Sequence, residues 1–214
     1  MIVALHGFLG RPADWDFLRD AGLDVDAREL DDVPASGDTI LGYSMGGRIA
    51  LHALLDGARY NRAVIISAGL GIEGDAERAT RREGDEKWAR RFEHDDWESV
   101  LRDWNAQPLF GGHVPVRRER DYDRSRVVDA MRRWSPGVLE PLAPRLSEIT
   151  LPVLWIAGER DAKYVAEGRK AVERLPNAEL WVCPTAAHRV PWEQPEKFVE
   201  QVTSFVERRA SRPQ

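Results

Sequence analysis

Gly42-Tyr43-Ser44-Met45-Gly46-Gly47 is the stretch on which the fold turns. A short strand-like run, Thr39-Ile40-Leu41, precedes it, and an amphipathic helical stretch from Arg48 to Leu55 follows. Gly-x-Ser-x-Gly between a strand and a helix is the signature of a nucleophile elbow, a sharp turn that lifts one serine hydroxyl above the edge of a sheet. The glycines are required because the turn leaves no room for a Cβ. The serine itself is held in a strained conformation.

Upstream, Ile2 to Leu5 is an apolar run entering the turn-rich segment His6-Gly7-Phe8-Leu9-Gly10, and reads as a buried strand followed by a loop. A helical stretch from Asp14 to Ala21 stops at Gly22, and a weak strand is expected near Leu23 to Arg28. Downstream, Ala63 to Ser67, Leu151 to Ala157 and Glu179 to Cys183 read as buried strands. A last helix from about Pro195 to Arg208 aligns Phe198, Val199, Val202, Phe205 and Val206 in one stripe. Strands alternating with helices predict an α/β fold of about six mostly parallel strands with helices on both faces. Residues 72–147 break that rhythm. They are charged, rich in arginine and tryptophan, and space Trp88, Phe92, Trp97, Leu101 and Trp104 at roughly helical intervals. The expected organisation is one domain, built from segments 1–71 and 148–214, with a helical cap inserted at about 72–147. The tail from Arg208 to Gln214 is expected to fray.

The 214 residues suffice for one substantial core, and a formal net charge of −5 argues against nucleic acid or an anionic membrane as partner. Lysine stands only at 87, 163, 170 and 197, so arginine supplies most of the basic charge and any one arginine is by default surface. The single cysteine, Cys183, excludes an intrachain disulfide and a thiolate metal cluster. The first residues do not resemble a secretory signal, and no apolar run reaches membrane-spanning length. A cytoplasmic protein is expected.

A serine hydroxyl needs a neighbour to take its proton, commonly a histidine oriented by a carboxylate. Asp161 follows one strand in Gly158-Glu159-Arg160-Asp161, and His188 follows the last strand in Ala186-Ala187-His188-Arg189. Both fall in loops at carboxyl ends of strands, where doubly wound sheets place their sites. Read blandly, Asp161 caps the next helix and His188 is a loop histidine; the elbow upstream favours reading Ser44, Asp161 and His188 as one catalytic set. Backbone amides of Met45, just after the serine, and of Phe8, in the loop after the first strand, are the expected oxyanion donors. His6 reads as a holder of its loop.

The elbow, the His6-Gly7-Phe8-Leu9-Gly10 opening and the order Ser44, Asp161, His188 resemble the α/β-hydrolase superfamily, and imply a minimal α/β-hydrolase fold. Longer segments resemble the 2-succinyl-6-hydroxy-2,4-cyclohexadiene-1-carboxylate synthases of menaquinone biosynthesis. These segments are Gly42 to Arg48, Asp103-Trp104-Asn105-Ala106-Gln107-Pro108-Leu109-Phe110, Gly158 to Tyr164 and Ala187-His188-Arg189. The resemblance implies a carbon–oxygen lyase without metal or organic cofactor. Its reaction eliminates pyruvate from 2-succinyl-5-enolpyruvyl-6-hydroxy-3-cyclohexene-1-carboxylate, with Ser44 as a His188-activated base. It further implies a small polycarboxylate substrate, held by Arg81 in the cap, by Trp104 and by Tyr43. A second arginine is implied just after the tryptophan segment, at Arg118 or Arg120, and both stay open. Arg48 and Arg189 also match family positions.

Two departures stand out. The chain opens at what is usually the superfamily's third strand, and Leu30-Asp31-Asp32-Val33-Pro34-Ala35-Ser36-Gly37 replaces the usual Asp-x-Pro-Gly-His-Gly turn. Too few residues separate the second strand from the elbow strand for a full crossover helix. The first rival function is a carboxylic ester or thioester hydrolase with Ser44 as covalent nucleophile. The second is a non-enzymatic binding protein on the same scaffold.

Overall fold

The apolar runs form six strands: β1 (Ile2–Leu5), β2 (Val25–Arg28), β3 (Ser36–Tyr43), β4 (Arg59–Ile66), β5 (Val153–Gly158) and β6 (Ala178–Cys183). The structure, a computed structural model, describes residues 1–111 and 113–208; the tail from 209 onward, expected to fray, lies outside the described residues. The strands pair in the order β2-β1-β3-β4-β5-β6. Every pairing is parallel, a more uniform sheet than the mostly parallel one expected. Parallel sheets need cover on both faces. Along β1, Val3 and Leu5 face one side and Ile2 and Ala4 the other. On the first side lie α2 (Met45–Leu55), α6 (Ala162–Arg174) and a 3-10 stretch, Ala143–Glu148. On the second lie Trp15, α1 (Asp16–Asp20) and α8 (Pro195–Glu207), whose Phe198, Val202 and Phe205 are buried as the stripe predicts. Fully burying each such side chain contributes roughly 1.5–3 kcal/mol.

The short link between β2 and β3 does without a helix. Only residues 29–35 connect them, although β1 lies between. Arg28 sits beside Leu5 and Thr39 beside Ile2, so the chain must return along only a short ladder. Ser36 stands three residues before Thr39, so the return from Arg28 to Ser36 is roughly 20 Å along the strands and about 10 Å across two strand spacings, within reach of an extended segment. Leu30 enters the core and Val33 packs against it, covering sheet surface that a crossover helix would otherwise cover.

Between β4 and β5 lie α3 (Asp75–His94), α4 (Trp97–Asn105) and α5 (Arg124–Arg133). They enclose a core of their own around Phe92, Trp97, Leu101, Val128 and Met131, with Trp88 and Trp104 at its margin. Phe8 and Leu9, from the loop after β1, join this cluster to the sheet. Leu142 and Leu146, near the end of this segment, pack into the core of the sheet. Among the described residues no helix is long and apolar enough to cross a membrane.

Two alanine substitutions test the packing. A Cβ on Gly42 would meet the Gly46 carbonyl oxygen at 2.5 Å and the Gly47 Cα at 2.7 Å, whereas one on Gly84, inside α3, meets nothing within 4 Å. Gly42→Ala is expected to destabilise the protein by at least about 1–3 kcal/mol. Gly84→Ala is expected to stabilise it by about 0.5–1 kcal/mol, since glycine is a poor helix residue. Urea unfolding of both variants checks the pair of signs.

Candidate active site

Sheet register gathers the site. Leu5 pairs with Gly42 and Gly158 with Cys183, so the loops leaving β1, β3, β5 and β6 emerge along one rim. Ser44, at the head of α2, has φ 53° and ψ −109°, left-handed backbone that L-residues rarely adopt. Its amide is tied to the Ile66 carbonyl at 2.8 Å. A Cβ on Gly46 would strike the backbone of Leu5 and His6, and one on Gly47 would come within 2.9 Å of Ala68 Cβ. The helix can approach β1 so closely only without those atoms. Tyr43 and Met45 are buried while Ser44 is half-buried, so the turn presents the hydroxyl.

The three residues expected to act together lie in hydrogen-bond contact. His188 Nε2 is 3.1 Å from Ser44 Oγ, and His188 Nδ1 is 2.7 Å from Asp161 Oδ2. Asp161 also caps α6, its Oδ1 accepting from the Tyr164 amide at 3.4 Å. His188 is 1% exposed. The Tyr164 ring packs on it at 4.5 Å between centroids, with Tyr43 at 5.5 Å and Phe110 at 5.7 Å. Burial, the largest influence, pulls the imidazole pKa below its ordinary value, and the hydrogen bond and charge of Asp161 oppose that only in part. The imidazole is therefore neutral near pH 7, able to accept a proton from Ser44 and hold it against Asp161.

A cavity of about 740 Å³ opens above Ser44 and His188. Phe8, Tyr43, Met45, Arg81 and Trp104 line it. Neither the Phe8 nor the Met45 amide has a backbone acceptor among the described residues, so both N–H groups are free for a ligand oxygen. His6 holds the Phe8 loop in shape: its Nδ1 lies 2.8 Å from the Gly7 carbonyl and its Nε2 3.3 Å from Glu29. Arg81 Nε bonds both oxygens of Asp85, at 2.9 and 2.8 Å, and its Nη atoms have no partner among the described residues.

Arg118 and Arg120 do not reach this cavity. They are exposed and border a separate shallow surface with Glu119. The reason is alternation. Residues 113–118 alternate between half-buried and exposed, Trp97 Nε1 holds the Arg117 carbonyl at 3.1 Å, and it is Arg117, half-buried, that lines the cavity. Arg117 is not free, because Asp14 grips it with two bonds of 2.7 and 2.6 Å. Burial opposes its charge, but Asp14 outweighs burial and holds its pKa above the ordinary value.

Arg11, Arg48 and Arg189 line the cavity as well. Arg189 stacks on Phe110, 4.0 Å from the ring centre, and donates to Asn105 Oδ1 at 2.6 Å and to the His113 carbonyl. Arg48 is 7% exposed, its Nη1 has no hydrogen-bond partner, and no described carboxylate pairs with it. Burial pushes its pKa down to about 10. Its place four residues after Ser44 was the available signal, since a first-turn helix residue i+4 from the elbow serine looks back towards it.

A family model described as the alpha/beta hydrolase family matches residues 2–201. The chain belongs to that family. Within it, the chain is 28% identical over 241 residues to the 2-succinyl-6-hydroxy-2,4-cyclohexadiene-1-carboxylate synthase of Serratia proteamaculans (strain 568), covering 96% of this chain and 92% of that one. It is 26% identical over 247 residues to the protein of that name from Yersinia pseudotuberculosis serotype O:3 (strain YPIII), covering 99% of this chain and 89% of the other. The solved structure of MenH from S. aureus superposes with a TM-score of 0.88 at 25% identity, over 96% of this chain and 92% of that one.

Protonation of His188 links this alpha/beta hydrolase site to pH. Its folded pKa is depressed, so its contribution to stability is complete above the unfolded value near 6.5 and is lost as pH falls through the folded value. Asp161→Asn removes the influence that raises this pKa, so the His188 titration midpoint, read by NMR, should move further down. A midpoint that rises would contradict this electrostatic account.

Proposed function

We propose that this protein is a carbon–oxygen lyase that eliminates pyruvate from 2-succinyl-5-enolpyruvyl-6-hydroxy-3-cyclohexene-1-carboxylate in menaquinone biosynthesis. The observation that carries the reading is Arg48, a buried cation with no ion-pair partner among the described residues, facing the cavity above Ser44. A buried unpaired charge is costly, and a carboxylate ligand would relieve it. Arg81, with free Nη atoms, offers a second fork for a carboxylate. The substrate carries several. Trp104 and Phe110 supply apolar wall for the ring. Residues 72–147 act as the cap over this site.

The chemistry follows from the contacts. Ser44 Oγ takes the ring proton as its own proton passes to His188 Nε2, and Asp161 holds the imidazole in the right tautomer and stabilises the imidazolium. The amides of Phe8 and Met45 bind the oxygen on which negative charge develops. The C–O bond to the enolpyruvyl group then breaks, the leaving oxygen takes the proton held on His188 and the enol tautomerises to pyruvate, which leaves the imidazole neutral and Ser44 a hydroxyl without an acyl-enzyme. An ester hydrolase would use the same hydroxyl and amides but would have no use for Arg48.

Pyruvate release from the cyclohexene intermediate, assayed beside hydrolysis of a neutral p-nitrophenyl ester, tests the reading. Ser44→Ala is expected to lower kcat by at least about 10³-fold with the fold retained. Arg48→Met should lower kcat/KM for the tricarboxylate by about 10- to 100-fold, the value of a charged hydrogen bond. It should leave ester hydrolysis nearly unchanged, and the melting temperature equal or higher because a buried charge has gone. Equal losses on both substrates would remove Arg48 from carboxylate binding, and a wild-type protein that releases no pyruvate would remove the lyase.

A further inference from the structure

We propose that Glu193 is a positioning residue that sets His188 between Ser44 and Asp161. This rests on reading those three residues as the reacting set, and it holds for elimination and for ester hydrolysis alike. Glu193 Oε2 accepts the Ala187 amide at 2.8 Å, and Oε1 accepts the Arg189 amide at 2.9 Å. One carboxylate thus grips the peptide groups on either side of His188. Neither amide has a backbone acceptor among the described residues. Glu193 Oε2 also receives Arg160 Nη2 at 3.3 Å, and Arg160 directly precedes Asp161. The same carboxylate therefore spans the loop that carries the imidazole and the loop that carries its orienting acid.

Glu193 is itself well held. It ends α7 (Val190–Glu193), with its amide on the Arg189 carbonyl at 3.0 Å. Its neighbour Trp192 packs edge-on to Tyr43 at 4.9 Å and donates to the Asp14 carbonyl at 3.2 Å. The carboxylate is 7% exposed and does not line the cavity, so its action on the reaction passes through His188. The two loops are already joined further from the imidazole: Glu159 N–H bonds the Cys183 carbonyl at 2.9 Å, and Arg160 N–H the Ala186 carbonyl at 2.8 Å. Those bonds keep the loops in place without Glu193. What Glu193 adds is the alignment of the one residue that must meet both partners.

Glu193→Ala and Glu193→Gln test this. Glutamine keeps one carbonyl oxygen for one amide and turns an NH₂ group towards the other, so it should restore part of what alanine loses. A misplacement on the scale of 1 Å at a reacting group costs up to about 10²-fold. We expect kcat to fall about 100-fold for Ala and about 10-fold for Gln, with KM within about threefold of wild type, as the cavity wall is untouched. In the ¹H NMR spectrum the far-downfield proton of the His188–Asp161 bond should broaden or shift in both variants. Wild-type kcat in either variant, or an unchanged downfield proton, overturns the proposal; if the alanine variant does not fold, the glutamine variant decides. The NMR reading needs no substrate, so failure of the lyase assignment leaves this test standing.

Discussion

Three backbones touch at the elbow, and everything chemical about the protein depends on their being able to. Gly42, Gly46 and Gly47 bring the end of β3, the start of α2 and the end of β1 closer than any Cβ would permit. At the centre of that contact Ser44 sits in left-handed backbone, a conformation that costs on the order of 1–3 kcal/mol and persists only where the surroundings over-determine it. Here they do. The serine amide is bonded to β4, β1 is buried along its length and β4 over its last four residues, and α2 packs into the core through Ile49, Leu51 and Leu54. The strain is local and the support is global. The turn that aims the hydroxyl also aims the Met45 amide, and the close approach to β1 brings the Phe8 amide alongside.

Charge in the cavity is arranged with a gradient of satisfaction. Arg117 is matched by Asp14 at both Nη atoms, and that pair ties the segment before α5 to the segment before α1. Arg81 is matched on one edge of its guanidinium. Arg48 has no carboxylate partner among the described residues. The charges of Arg189 and Lys163 add to burial in keeping His188 neutral. Excess positive charge around a neutral imidazole suits a site in which an anion arrives and a proton must then be accepted.

Local grammar made the elbow legible, since the glycines, the serine and the strand before them are contiguous. Asp161 and His188 could be read from their places after strands, because a parallel sheet sends every such loop to the same rim. The starts of β3 and β4 were hidden, since Ser36-Gly37-Asp38 and Arg59-Tyr60-Asn61-Arg62 carry polar residues on strands that extend beyond their buried halves. Arg118 and Arg120 face outward, and it is their neighbour Arg117 that lines the cavity. In an extended segment a shift of one residue reverses which side chains face inward, and nothing in Arg117-Arg118-Glu119-Arg120 reveals that phase. The distant bond from Asp14 and the Trp97 bond to the Arg117 carbonyl set it. Glu193 was invisible for a related reason: its partners are backbone amides, which leave no mark on the sequence.

Asp161 shows that a bland reading and a sharp one need not compete. One of its oxygens caps α6 and the other holds His188, so the helix fixes the acid and the acid fixes the histidine. Such a residue says little by its presence, because the fold alone would justify it. Arg48 argues in the other direction. It sits in the first turn of α2, where helix N-termini favour negative groups over positive ones, and burial weakens its charge. An apolar side chain of similar length would serve packing at that position at least as well. A group that works against the stability of its own surroundings is explained by something outside the polypeptide, and on the proposed reading that is the carboxylate of the ligand.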